Sequence, residues 1–392
     1  MGVNEARPLD LGFPLTEEHR QLYESARSFA LAELAPGAAA RDEEERFPSE
    51  QLGALAELGL LAMKVSEADG GSGMDNVGYV LAMSAIAEAD ASVAVILASS
   101  NLATKILGDH ASDAQKARWL RPYAAGELGP ASFALTEPQA GSDAGAIRTT
   151  ATRDGEGWVL DGQKMWITSA AQAGIHLVFA KTDPAAGTRG ITTFILERGA
   201  PGLSVGREEK KMGLRSSGTA ALHFEACPVS DAQRLGELGR GYSIALEALG
   251  AGRVGIAAQA LGIGEAAFRE GLGYVAERRA FGQRVLDFQN TRFVLADART
   301  ALDAAWLLTL RAAALLDQGK PARMESSMAK IAATEACGRV VDGMLQLHGG
   351  YGYSREYVIE RLYRDARITR IYEGTNEIQR TLVAREIEKA LG

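Results

Sequence analysis

The chain has little of what metal sites and disulfide frameworks are made from: two cysteines, Cys227 and Cys337, and five histidines in 392 residues. The cysteines lie far apart and form no CxxC pair, so neither a metal site nor a stapled small fold is expected, and a reducing, cytoplasmic compartment fits. Basic clusters are also missing. With a net charge of -8, a broad nucleic-acid footprint is excluded, while a local basic pocket for a phosphorylated ligand is not. The N-terminus from Met1 to Phe13 lacks a signal-peptide core and the Arg/Ser pattern of a transit peptide, and Ala6 stands where a myristoylation signal carries Ser or Thr. The apolar run from Ala91 to Ala98 is too short to span a bilayer, so no membrane role is expected. Internal repeats and low-complexity segments are absent as well.

What is present is an ordinary globular composition, 46% hydrophobic and 23% charged, in a chain long enough for two or three layers or domains. Residues 15–128 carry helical spacing: Leu15 to Leu34, stopped by Pro36 and Gly37; Ser49 to Leu61, with Ser49 as cap; then Asn76 to Ala89, Ser92 to Leu107 and Ser112 to Ala125. From Gly129 to about Arg240, short β-forming runs alternate with Gly, Pro and Asp, which predicts a compact β domain with antiparallel connections. Helical spacing returns over Tyr242 to Gln283, Asp287 to Gln318, Ala322 to Leu347, Ser354 to Tyr363 and Asn376 to Leu391. Helices, strands, then helices again predict an α+β fold with domains at 1–128, 129–240 and 241–392.

One motif misleads. Gly250-Ala-Gly252-Arg-Val-Gly255 matches the dinucleotide fingerprint G-x-G-x-x-G, but that motif needs a preceding strand. Here the preceding run is helical, and close helix packing around small residues, with Arg253 presented from the helix, is the better reading.

Four segments carry the chemistry. Phe133-Ala-Leu-Thr136-Glu-Pro-Gln-Ala-Gly141-Ser142-Asp143 offers turn N–H and hydroxyl donors to a polar ring or phosphate, or is a plain turn. Lys164-Met-Trp166-Ile-Thr168 could wall a flat cofactor, or bury a core tryptophan. Arg278-Arg-Ala-Phe281-Gly282, followed by Phe288-Gln289, places an arginine before a helix break, where it could grip a pyrophosphate or remain a solvated charge. The last segment runs from Gln346-Leu347-His-Gly349-Gly350 to Tyr372-Glu373-Gly374-Thr375-Asn376-Glu377; paired glycines allow close backbone approach, and Thr375 can cap the final helix.

In order and spacing, these segments resemble the acyl-CoA dehydrogenase family (TEPxAGSD, WIT, RxAFG with a following FQ, QxxGGxGY, YEGTxEIQR) over nearly the whole chain. The resemblance implies a helical N-terminal domain, a middle antiparallel β domain and a C-terminal four-helix bundle. It also implies FAD held by Phe133, Leu135, Thr136, Gly141, Ser142, Trp166, Ile167 and Thr168. Arg278, Phe281, Gln289, Gln346, Leu347, Gly349 and Gly350 would hold the adenine and pyrophosphate end of a cofactor reaching over from a neighbouring subunit, with Thr375, Asn376 and Glu377 as further contacts. Ser142 and Arg253 match positions against the CoA portion, and Gly374 lies beside the thioester.

Implied in turn are α,β-dehydrogenation of an acyl-CoA to the trans-2-enoyl-CoA in fatty-acid β-oxidation, a homotetramer (a dimer of dimers), and electron-transfer flavoprotein as acceptor. The resemblance makes Glu373 the catalytic base, since Gly252 occupies the alternative location used by some relatives and has no side chain. An oxygen-using oxidase and a non-catalytic binding homologue are the competing readings. Three departures stand out: Gly250 where many relatives have Asp against CoA, Ser169-Ala170 after the WIT, and Ser99, Ser100 and Lys105 on the helix that floors the acyl pocket. These last suggest a short, branched or polar acyl group, unless Lys105 faces solvent.

Overall fold

The computed structural model describes residues 7–391; the leader and myristoylation readings on residues 1–6 lie outside them. Thr16 caps the first helix, Glu17–Phe29, through a reciprocal pair with His19 (3.1 and 3.3 Å). Pro36 and Gly37 do not end this helical run. A π turn at Ala30–Leu34 precedes Ala35–Glu44, and this wider turn takes up the missing proline donor. Gly37 serves a different purpose: a Cβ there would lie 2.4 Å from Arg41 Nη1. Arg41 runs through that space to pair with Asp90 at 2.8 Å, with both side chains almost fully buried. Ser49 opens the third helix, Ser49–Glu57, without capping it.

Asn76–Ala89 and Ala91–His110 are nearly fully buried, and Asp90 between them caps the second by accepting from Ser92 N and Val93 N. By length and composition Ala91–His110 and Gly241–Glu277 could cross a membrane, but 78% and 67% of their apolar windows are buried inside the protein. Their apolarity is spent on the core.

The middle domain is one sheet: β1 (Ala131–Ala134), β2 (Thr150–Asp154), β3 (Gly157–Thr168), β4 (Ile175–Lys181), β5 (Ile191–Glu197), β6 (Leu203–Val205), β7 (Thr219–Ser230) and β8 (Arg234–Leu235). The spatial order is β6-β7-β3-β2-β4-β5-β8, with β1 beside β4. Against the wholly antiparallel expectation the sheet is mixed, since β1 and one residue pair of β2 run parallel to β4. The chain reaches β4 from β1 and β2 only after reversing through β3, so no hairpin joins the paired strands and a parallel register is open to them.

The C-terminal helices are Gly241–Glu277, Gln289–Asp317, Arg323–His348, Val358–Ala366 and Asn376–Lys389. The first stops at Glu277, short of the expected Gln283, because Arg279–Ala280 and Gln283–Arg284 fold into a small antiparallel hairpin. Asn76–Ala89 packs directly on Gly241–Glu277, so the two helical regions share one hydrophobic core. Glycines permit that approach: a Cβ on Gly255 would lie 2.5 Å from the Tyr79 hydroxyl, and one on Gly262 would lie 2.2 Å from Ser84 O. The G-x-G-x-x-G segment is therefore a packing surface inside a helix.

Asp90→Ala removes a cap and strands a buried guanidinium, so it should lower the unfolding free energy by about 3–5 kcal/mol in urea titration. Asp90→Asn, which keeps the cap, should cost less.

Candidate active site

The chain between Arg370 and Asn376 makes an unusual turn. Glu373 and Gly374 both have left-handed backbones (φ 53° and 84°), easy for glycine and strained for glutamate. Side chains hold the turn from several directions. Lys330 Nζ donates to Gly374 O (2.8 Å) and Asn376 Oδ1 (3.1 Å), and Gln379 Nε2 donates to the carbonyls of Glu373 (3.2 Å) and Gly374 (3.0 Å). The Tyr372 hydroxyl donates to Gln259, whose Nε2 donates to Ala91 O at 2.9 Å.

The carboxylate is thereby pushed into the seam between the helical regions. Its Oε2 is shielded, has no hydrogen-bond partner, and lies 3.3 Å from where a Cβ on Gly252 would sit; Leu102 is 3.4 Å from that same point. Burial lifts the Glu373 pKa to about 7, opposed by the positive charges of Arg253, Lys330 and Lys64. Arg253 is itself 6% exposed, with Nε and Nη1 unpartnered, and burial lowers its pKa to about 10.

Lys330 and Gln259 lie outside every motif singled out in the sequence, and Tyr372 and Gln379 stood in the last one without an assigned role. A signal existed for Lys330: Ser326, Lys330 and Thr334 form a polar stripe at helical spacing on a face that is otherwise core, and all three are buried.

The expected cofactor wall also assembles. Lys164 Nζ pairs with Glu137 at 2.7 Å and donates to Leu135 O at 3.1 Å, and Met165 N donates to Thr136 O, so β3 is tied to the 133–142 loop. Glu137 also accepts from Arg148 N and Thr149 N. Its pKa falls to about 2: burial opposes ionisation, but Lys164 and these hydrogen bonds prevail. Between Lys164 and Ile167 the β3–β7 register slips, and Trp166 bulges out with φ 61° and 57% of its surface exposed. An exposed indole on a strained bulge, with Thr136 and Thr168 accessible beside it, fits a flat polar ring. Ser169 Oγ, buried and unpartnered just beyond, adds a spare polar atom. Leu135 and Ile167 turn their side chains into the core, so any ligand contact is through their backbones. Phe133 packs on Phe179 (4.9 Å), and Gly141 lies exposed on the loop.

A second group sits elsewhere. Arg278 lies over the Tyr351 ring (5.4 Å), and Phe281, Gln289, Gln346, Gly349 and Gly350 are exposed around it, with Leu347 half-buried. Lys330 and Gln346 are on one helix, sixteen residues apart, which is roughly 24 Å of helix. This group therefore does not face the Glu373 of its own chain. Thr375 caps the last helix through Ile378 N, and Glu377 is exposed. Asn376 spends its amide on Lys330, Thr334 and Glu335, which leaves only its backbone for a ligand.

A cleft of about 650 Å³ runs beside Arg253, lined also by Lys64, Lys105, Gly250, Arg323 and Ser326. Space beside Gly250 is open. Lys105 lines this cleft while pairing with Asp109, and Ser100 is turned away to hydrogen-bond Ala131. Ser142 is exposed on its loop.

Three family models match the chain: the acyl-CoA dehydrogenase N-terminal domain over 16–127, its middle domain over 132–227 and its C-terminal domain over 239–388. The chain belongs to the acyl-CoA dehydrogenase family. It is 45% identical over 391 residues to the mitochondrial short-chain specific acyl-CoA dehydrogenase of Mus musculus, covering 98% of this chain and 94% of that protein. Butyryl-CoA dehydrogenase from Megasphaera elsdenii superposes with a TM-score of 0.93 at 39% identity, covering 96% of this chain and 99% of the other. A chain from work on the electron transferring flavoprotein of Acidaminococcus fermentans and flavin-based electron bifurcation gives 0.94 at 38% identity, over 96% and 99%. Members of this family are FAD-dependent oxidoreductases.

The raised Glu373 pKa sets a pH dependence. In the role of base expected from the sequence, Glu373 must be ionised, so kcat/KM should fall about tenfold per unit below pH 7 and level off above it. Lys330→Met removes a positive neighbour and should move that limb to higher pH in steady-state profiles; an unmoved limb would show that Lys330 does not act on Glu373.

Proposed function

We propose that this chain dehydrogenates an acyl-CoA between Cα and Cβ to the trans-2-enoyl-CoA, with Glu373 as the base, and passes the electrons to an electron-transfer flavoprotein. The observation that carries this is Glu373 Oε2: buried, unpartnered and aimed over the side-chain-free Gly252. Bound FAD supplies the hydride acceptor. Phe133 to Ser142 and Trp166 to Thr168 would hold its ring.

Glu373 Oε2 receives the α-proton, and the raised pKa makes a carboxylate basic enough to share it. Among the described residues the Glu373 N–H makes no backbone hydrogen bond, which leaves it to donate to a thioester carbonyl and stabilise the developing enolate. Arg253 stands in the cleft as the cation for the CoA portion. Excluding water from the seam strengthens each of these interactions.

The assembly reading is a homotetramer in which one subunit completes its neighbour's cofactor site. The distance of the Arg278 group from its own Glu373, and the exposure of Phe281 (96%) and Tyr353 (90%), support it. Two free, buried cysteines support a reducing, cytoplasmic location, and fatty-acid β-oxidation is the pathway this chemistry serves.

Anaerobic titration of the purified yellow protein with short acyl-CoAs should bleach the flavin. Glu373→Gln should keep FAD yet slow bleaching by about a hundredfold or more; bleaching at the normal rate would place the base elsewhere. Arg278→Ala should shed FAD on gel filtration without moving the pH limb of Glu373, and full retention would count against the shared site.

A further inference from the structure

The cleft contains a cation that holds no element of the fold in place and reaches Glu373 only through its charge. Lys64 lies on the segment that follows the short turn Leu60–Ala62. Its neighbour Met63 is pinned on both sides: Met63 N donates to Asn101 Oδ1 (2.8 Å) and Met63 O accepts from Met74 N (2.7 Å). The lysine side chain enters the cleft, with Nζ 4.6 Å from the centre of the Tyr79 ring. Tyr79 in turn packs on Gly255, one turn along the helix from Gly252 and Arg253.

Among the described residues Lys64 Nζ makes no hydrogen bond or ion pair. The groups whose charges reach it are Lys105, Asp109, Asp317 and Glu373. Asp109 is occupied by Lys105 (2.6 Å). Asp317 is occupied by Asn76 N (2.7 Å), Asn76 Nδ2 (2.7 Å) and Val77 N (3.2 Å). Glu373 is the base. Burial lowers the Lys64 pKa to about 8, so the ammonium persists at neutral pH with a ring face as its only close support.

A half-buried ammonium that lines a cleft and has no anion among the described residues is placed to receive one from a ligand. We propose that Lys64 is a specificity-determining residue that binds a carboxylate carried on the acyl chain, so that a short acyl-CoA with an anionic tail is a preferred substrate. This rests on the dehydrogenase reading. Lys64 donates a charge-assisted hydrogen bond to the tail, and Tyr79 fixes the ammonium where the tail arrives.

The test compares two five-carbon acyl-CoAs, one ending in a methyl group and one in a carboxylate. Steady-state rates with an artificial acceptor would be measured for the wild type, Lys64→Met and Lys64→Arg. Binding of the same thioesters and of free CoA would be titrated in the Glu373→Gln background with and without Lys64→Met. The wild type should favour the carboxylated substrate. Lys64→Met should lower its kcat/KM about ten- to a hundredfold more than that of the methyl-ended substrate, chiefly through KM, and leave free CoA binding unchanged; any loss that arrives through the Glu373 pKa is common to both substrates and cancels in that ratio. Lys64→Arg should recover part of the loss.

Lys64→Met removes the charge and keeps the length of the side chain, and retained flavin absorbance with an unchanged melting temperature reports an intact fold. Equal losses for both thioesters together with weaker free CoA binding would assign Lys64 to the CoA phosphates and overturn the proposal. A wild type that oxidises only the methyl-ended substrate would overturn it too, with the dehydrogenase reading intact. If neither thioester reduces the wild-type flavin, both readings fail.

Discussion

An ionisable acid held in an apolar seam without a hydrogen-bond partner is the constraint on which the rest of this site depends. Left alone, the chain would turn Glu373 outward to water, which costs nothing. It faces inward because the Glu373–Gly374 turn is left-handed and is clamped by Lys330, Gln379 and the Tyr372–Gln259 pair. Clamp and pKa are one device: Lys330 fixes the turn mechanically, and its charge keeps burial from neutralising the base altogether.

The seam itself exists because two helical regions, distant in sequence, share one core. Asn76–Ala89 can lie against Gly241–Glu277 only where side chains are withdrawn, at Gly255 and Gly262. Gly252, on the same helix, leaves the space into which Glu373 projects. The run of small residues that imitates a dinucleotide motif is therefore what brings the base, Arg253 and the cleft together. On the other side of the site, the Lys164–Glu137 pair does comparable work in the sheet, joining the 133–142 loop to the bulge that exposes Trp166. Both arrangements put strain or desolvated charge beside the reacting position, where surrounding packing can sustain it.

Much of this was legible from residues alone, and the misses are instructive. Periodicity located the helices because each buries a face, and the same rule identified the Gly250–Gly255 segment as helical. It failed at Pro36, where a π turn absorbs the proline, and after Glu277, where a hairpin replaces the last helical turns. Local propensity also could not report that β1 runs parallel to β4, since strand direction depends on the path the chain takes between the paired strands. Leu135, Ile167 and Asn376 stand in informative motifs, yet their side chains serve the core or anchor the last helix.

By itself the sequence determined the order of helical and β regions and the family to which its motifs point, because these depend on residue type and spacing along the chain; Glu373 was marked as the acid only by its place in a motif of that family. Only the tertiary structure decided that Glu373 Oε2 is desolvated, that Lys330 holds its turn, that Lys64 stands in the cleft unpaired among the described residues, and that the Arg278 group lies far from the Glu373 of its own chain. Electrostatics and distance between segments are set by how elements pack. A lysine in a one-dimensional string carries no sign of whether water, a carboxylate or an aromatic ring will surround it.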